Sequence, residues 1–121
     1  RDEKFDAFEK MENAWLDRAK SLMTEKEFIM YSDMRSRNDK EKADAYQAYH
    51  DYLRAKYGNN FKYNISEDQS IREKKINEKY LKELLKLIGE DKFRTYLASR
   101  DQYNEKLRRN SNGKSVLTIE F

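Results

Sequence analysis

The chain has 121 residues, 40% charged and only 37% hydrophobic, with neither cysteine nor proline. That length suits one domain, and the lack of cysteine excludes a disulfide framework, a thiolate nucleophile and cysteine-based zinc or iron–sulfur sites. No apolar run approaches the roughly 18 to 20 residues that cross a bilayer as a helix, and three glycines leave little material for phosphate-cradling loops or tight β-turns.

Abundant Lys, Glu, Leu and Ala favour an all-α chain, a single domain over 1–121 with about five helical segments packed antiparallel over 1–110 and an extended tail over 111–121. Between Asp2 and Met23, Phe5, Phe8, Trp15, Ala19 and Leu22 recur at helical spacing and predict an amphipathic first helix. Thr24 with Glu27 three residues on reads as a capping box, because the Thr hydroxyl can accept from the Glu27 backbone N–H while the carboxylate reaches back. The second helix then carries Phe28, Tyr31 and Met34. The polar run Ser36–Asp39 offers an N-cap to a separate third helix bearing Tyr46, Tyr49, Leu53 and Tyr57, which Gly58 and two asparagines should stop.

After a connector over 61–65, Ser66-Glu67-Asp68-Gln69 reads as a second capping box, opening a long helix lined by Ile76, Tyr80, Leu84, Leu87 and Ile88 and ended by Gly89. Phe93, Tyr96, Leu97, Tyr103 and Leu107 mark a last helix that stops before Asn110-Ser111-Asn112-Gly113. In the tail from Val116, the alternation of Leu117, Ile119 and Phe121 predicts an extended segment packed on its own helices. The expected core is led by Phe8, Trp15, Phe28, Leu53, Tyr80, Leu84, Ile88, Phe93 and Leu107.

Net charge is +3, unevenly distributed: residues 1–57 hold 12 basic and 13 acidic side chains, residues 58–121 hold 14 and 10. On the long helix Arg72, Lys75, Lys79, Lys82 and Lys86 fall within about 100° of arc, opposite the apolar face. Such a stripe suits an acidic partner, nucleic acid included, or simple solvation with Glu78 and Glu83 pairing to Lys82 and Lys79 at helical spacing. Tyr46, Tyr49, Tyr52 and Tyr57 crowd a short segment that cannot bury every ring, and with Met11, Met23, Met30 and Met34 they serve either to fill the core or to supply adaptable apolar surface. Tyr46, Tyr49, Tyr52, Lys75, Lys79, Lys82 and Lys86 are therefore the partner-binding candidates. His50 is the only histidine, and no nucleophile elbow, P-loop or dinucleotide fingerprint occurs, so no catalytic, metal or cofactor residue is assigned. The chain reads as a non-enzymatic binding module for a polypeptide or protein partner, with an acidic-partner binder or a structural adaptor as alternatives. Beginning at Arg1 rather than Met, it is expected to be a processed product or a fragment.

Met23-Thr24-Glu25-Lys26-Glu27 and Ile65-Ser66-Glu67-Asp68-Gln69 repeat one pattern: an aliphatic residue, a hydroxyl cap, two polar residues and Glu or Gln. It resembles the Leu-Thr-x-x-Gln motif of the CpxP/Spy-like periplasmic proteins, small cysteine-poor helical proteins with two such motifs. Neither copy here has the Leu, and Glu27 replaces Gln in the first. The resemblance implies a thin, curved helical homodimer in the bacterial periplasm that shelters unfolding polypeptides or senses envelope stress. In it, Met23, Thr24, Glu27, Ile65, Ser66 and Gln69 would set helix starts.

Overall fold

The capping box at Thr24 forms as its residue types require: the Glu27 N–H donates to the Thr24 hydroxyl at 3.1 Å and the Thr24 N–H donates to the Glu27 carboxylate at 2.9 Å. It turns α1 (Glu3–Ser21) into α2 (Glu25–Tyr57). The computed structural model describes residues 3–60, 65–113 and 117–121, with the backbone alone for residues 60, 65 and 66. Two further helices follow, α3 (Ile65–Ile88) and α4 (Glu90–Arg109).

Among the described residues there are thus four α-helices rather than the expected five, because residues 25–57 form one continuous helix. Ser36–Asp39 holds N-cap residue types but neither glycine nor proline, and partners on α3 engage Arg37 and Asn38 without a break in the helix. Arg37 donates to Asp33 one turn back at 2.8 Å and to Glu83 of α3 at 3.0 Å. Asn38 is buried and donates to the buried Asn77 of α3 at 3.1 Å, fixing the register of the two helices.

Glycine ends α2 and α3 as expected. Gly58 has φ of +74° and leads into a single 3-10 turn over Gly58–Asn60. Gly89, at φ of +86°, is the sole residue between α3 and α4: its N–H donates to Leu85 of the one, and its carbonyl accepts from Phe93 of the other. Helix α3 begins at Ile65, which places the backbone of Ser66 in its first turn; the second capping box itself rests on the side chains of Ile65 and Ser66, which lie outside the described residues. The connector expected over 61–65 and the tail start at Val116 likewise fall on residues outside that set, apart from the backbone of Ile65.

The helices close a ring in which α1 packs on α2, α2 on α3, α3 on α4 and α4 on α1. Trp15, Tyr31, Leu84 and Tyr96 fill its centre, fully buried. Trp15 packs 4.9 Å from the Tyr96 ring and 5.8 Å from Tyr103, joining α1 to α4, while Tyr31 and Tyr96 meet edge-on at 5.6 Å across the ring. Tyr80, Ile88 and Leu107 join them as expected, whereas Phe8, Phe28 and Phe93 are half-buried at the margin. Phe5 of the α1 stripe is exposed.

The tail packs on its own bundle. Ile119 and Phe121 are buried while Thr118 and Glu120 face solvent, as alternation demands. Asn104 grips the Ile119 backbone from both sides, accepting its N–H at 2.7 Å and donating to its carbonyl at 2.9 Å. Arg100 donates to the Glu120 carbonyl at 2.8 Å, and the Phe121 carbonyl takes hydroxyl contacts from Tyr31, at 2.8 Å, and Tyr96.

At 1.5 Å per residue α2 extends about 50 Å and α1 only about 28 Å, so α2 outruns it. The central cluster draws on α2 no further along than Met34, and on α3 no earlier than Ile76. Tyr49 and Leu53 are buried outside that cluster, in a two-helix arm formed by the end of α2 and the beginning of α3. Urea unfolding of Leu84→Ala should show a loss of about 2 to 5 kcal/mol, and Lys82→Ala almost none. Equal losses would mean that the face of α3 turned to the core is misassigned.

Candidate functional site

The arm gathers most of the aromatic candidates. Tyr46, Tyr49 and Tyr52 are three residues apart, so each step turns about 60° around α2. The middle ring faces α3 and the outer two flank it. Tyr49 is only 8% exposed; its hydroxyl donates to the Asp68 carboxylate, and the Arg72 guanidinium lies 4.3 Å over its ring. Tyr49, expected as a contact residue, is therefore a rivet between α2 and α3. Tyr46 and Tyr52 are 47% and 54% exposed, and Tyr57 joins them at the surface. Tyr46 packs on His50 with ring centroids 4.2 Å apart, while the Lys56 ammonium sits over both Tyr52, at 5.7 Å, and Tyr57, at 5.3 Å. Of the four methionines, Met34 is buried, Met11 and Met23 are half-buried against the core, and Met30 is exposed on α2 outside the arm.

The cationic stripe divides. Lys79 bonds to Glu41 across the helix pair and Arg72 to the Tyr49 ring, so the pairing of Lys79 with Glu83 expected along α3 is replaced. Glu83 instead meets Arg37. The geometry favours these cross-helix partners because Glu41 is also fixed by a 2.7 Å hydrogen bond from the Tyr80 hydroxyl. Lys75, Lys82 and Lys86 are exposed and make no ion pair among the described residues; Glu78 does not engage Lys82 there.

Between α2 and α3 lies a groove of about 570 Å³. Ala45, Ile71 and Ile76 give it an apolar floor, with Glu41 and Asp68 set against Arg72 and Lys75. Chemically, this suits a chain that offers apolar side chains together with main-chain or charged polar groups. Among the described residues that line it, none is arranged as a nucleophile with its base. Among the described residues no group of three or more His, Asp or Glu side chains can hold a metal ion, and no helix is long and apolar enough to cross a membrane.

Ile71, 52% exposed, is a groove-lining residue that sequence reasoning passed over. Its signal is present: it lies about 140° around the helix from Ile76, off the buried stripe. The motif residues fall in two places. Met23, Thr24 and Glu27 hold the α1–α2 turn, where Lys92 of α4 also donates to Glu27 at 2.8 Å. Gln69 lies beside Asp68 in the arm; its Nε2 donates to Glu73 at 3.3 Å, while its buried Oε1 and the Nε2 of His50 find no hydrogen-bond partner among the described residues. Comparison with protein-family models, curated proteins and solved structures returns no match.

Hydrogen bonds from Lys79 and then Tyr80 hold the Glu41 carboxyl below its ordinary value against a weak opposing effect of burial. Because the folded-state pKa is depressed, this contribution to stability is complete above the ordinary carboxylate pKa and is lost as pH falls through the lower folded value. Urea midpoints taken from neutral to acid pH should therefore fall less steeply for Glu41→Gln than for wild type, with Glu27 supplying part of what remains. Parallel curves would show that Glu41 is not linked to folding.

Proposed function

We propose that this chain is a non-enzymatic polypeptide-binding module of the chaperone-like kind, acting in the bacterial envelope, with the arm as its contact surface. The observation that carries this reading is the grouping of exposed Tyr46, Tyr52, Tyr57 and Ile71 on a two-helix arm beyond the central core. Isolated exposed apolar residues need no explanation, but several on one arm, beside a groove with charges of both signs, suit an unfolded chain that presents apolar and charged groups without fixed order. Tyrosines bury large area at low conformational cost and keep a polar tip, which suits binding without sequence selectivity. Lys56, Arg72 and Lys75 add long-range attraction for acidic segments at encounter. The resemblance of the paired helix-start motifs to the CpxP/Spy-like proteins points the same way, and it is the ground for the periplasmic assignment and for a homodimer.

An acidic-partner or nucleic-acid function has less support. With Lys79 bound to Glu41 and Arg72 stacked on Tyr49, the stripe keeps Lys75, Lys82 and Lys86. Such binding would fall steeply with salt.

An unfolded model polypeptide should bind with micromolar affinity, weakened but not abolished by salt. Replacing Tyr46, Tyr52 and Ile71 together by Ser should weaken binding about tenfold, through loss of buried apolar area. Lys82→Ala with Lys86→Ala should change it much less. Circular dichroism must show that both variants keep their helices. If the wild-type chain does not suppress client aggregation at stoichiometric amounts, the chaperone-like function is wrong.

A further inference from the structure

The seat occupied by residues 117–121 has the chemistry of a general peptide site. Tyr96, Arg100 and Asn104 are spaced four apart on one face of α4 and contact three consecutive tail residues in reverse order. Asn104 holds the N–H and carbonyl of Ile119, Arg100 the carbonyl of Glu120, and Tyr96 with Tyr31 the carbonyl of Phe121. All these bonds go to main-chain atoms, so they require an extended backbone rather than particular side chains. Selection comes from the two inward positions: Ile119 is 3% exposed, and the Phe121 ring lies 5.4 Å from Tyr31 and 5.9 Å from Tyr80. The tail does not fill the space: a cavity of about 210 Å³ remains beside it, bounded by Phe8, Glu12, Arg35, Asn38, Asp39 and Lys42 as well as by the tail.

We infer that this seat is a second polypeptide-binding site, distinct from the arm, which takes an extended segment of the form apolar-x-aromatic from another polypeptide, with residues 117–121 as a built-in competitor. The tail's own sequence defines the ligand. An attached competitor acts at an effective concentration of roughly millimolar, so an incoming segment must either bind better than Ile119 and Phe121 or meet a loosened tail. The site stands or falls independently of the arm, since none of its contacts involves Tyr46, Tyr52 or Ile71.

The test uses the full chain and a fluorescein-labelled peptide with the sequence of residues 115–121, followed by anisotropy. Ile119→Ala weakens the tail's hold and should raise peptide affinity about tenfold over wild type. Adding Asn104→Ala in that background should remove the gain, as should a peptide with Ser in place of Ile119 and Phe121. The triple arm variant should bind this peptide as wild type does. Equal affinity for wild type and a folded Ile119→Ala chain, or binding that ignores Asn104→Ala, overturns the inference. So does an Ile119→Ala chain that takes up no peptide and dimerises instead, which would make a second copy the occupant. If Ile119→Ala loses its helices, the same peptide with benzoylphenylalanine in place of Phe, photocrosslinked to wild type at millimolar concentration, decides the matter. Crosslinks within 31–35 or 96–104 support the site, while crosslinks confined to 44–57, or none, refute it.

Discussion

The fold depends on how the hydroxyls of Tyr31 and Tyr96 are satisfied at the centre of the ring. Both side chains are fully buried, and a buried phenol hydroxyl without a partner costs on the order of 1 to 3 kcal/mol. Their oxygens are 3.0 Å apart, and both approach the Phe121 carbonyl. Two hydroxyl protons serve three close oxygen contacts, so at most two of the three carry a proton. Arg35 supplies a further proton, donating to the Tyr31 oxygen at 3.3 Å while its other nitrogen bonds to Glu12 at 3.1 Å. Burial pushes the Tyr96 phenol well above its ordinary pKa, so it stays a neutral donor at physiological pH. One tail carbonyl thus ties α2, α4 and, through Arg35 and Glu12, α1 to a segment that forms no helix of its own.

The division into base and arm follows. Tyr31 lies near the beginning of α2 and Tyr96 in the first half of α4, so the aromatic core is fixed close to the Thr24 and Gly89 turns. Further out the pairing of α2 with α3 rests on polar contacts: Asn38 with Asn77, Arg37 with Glu83, Glu41 with Lys79 and Tyr80, and Tyr49 with Asp68. Partly exposed ion pairs contribute little individually, so the arm is held more weakly than the base while register is kept by the buried asparagines. Elements at the less stable end of a molecule can rearrange at small cost to the whole.

How far these features were legible in the sequence follows from range. Signals acting within one turn were read correctly: Thr24 with Glu27, the left-handed glycines at 58 and 89, and the alternation of Ile119 and Phe121. Ser36–Asp39 misled because the choice between capping and continuing is made by Asn77 and Glu83, more than 35 residues away. Tyr31 and Tyr96 each fitted a helical stripe, but nothing local tells that they meet over a tail carbonyl. In the arm, local spacing marked the lysine and tyrosine positions but not that Tyr49 and Lys79 are committed to partners on the facing helix. The Asn104 clamp left no local trace beyond its spacing from Tyr96 and Arg100.

Native-state hydrogen exchange, resolved by residue, tests most directly whether the tyrosine–tail junction anchors the base while the arm is held locally. Amides of 31–38, 84–88 and 96–104 should exchange only through global unfolding, and those of 44–57 and 67–73 through smaller openings at least tenfold faster. Tyr96→Phe should then accelerate exchange in the base and in 119–121 together. Uniform protection along α2, or a Tyr96→Phe effect confined to its immediate neighbours, would contradict the account.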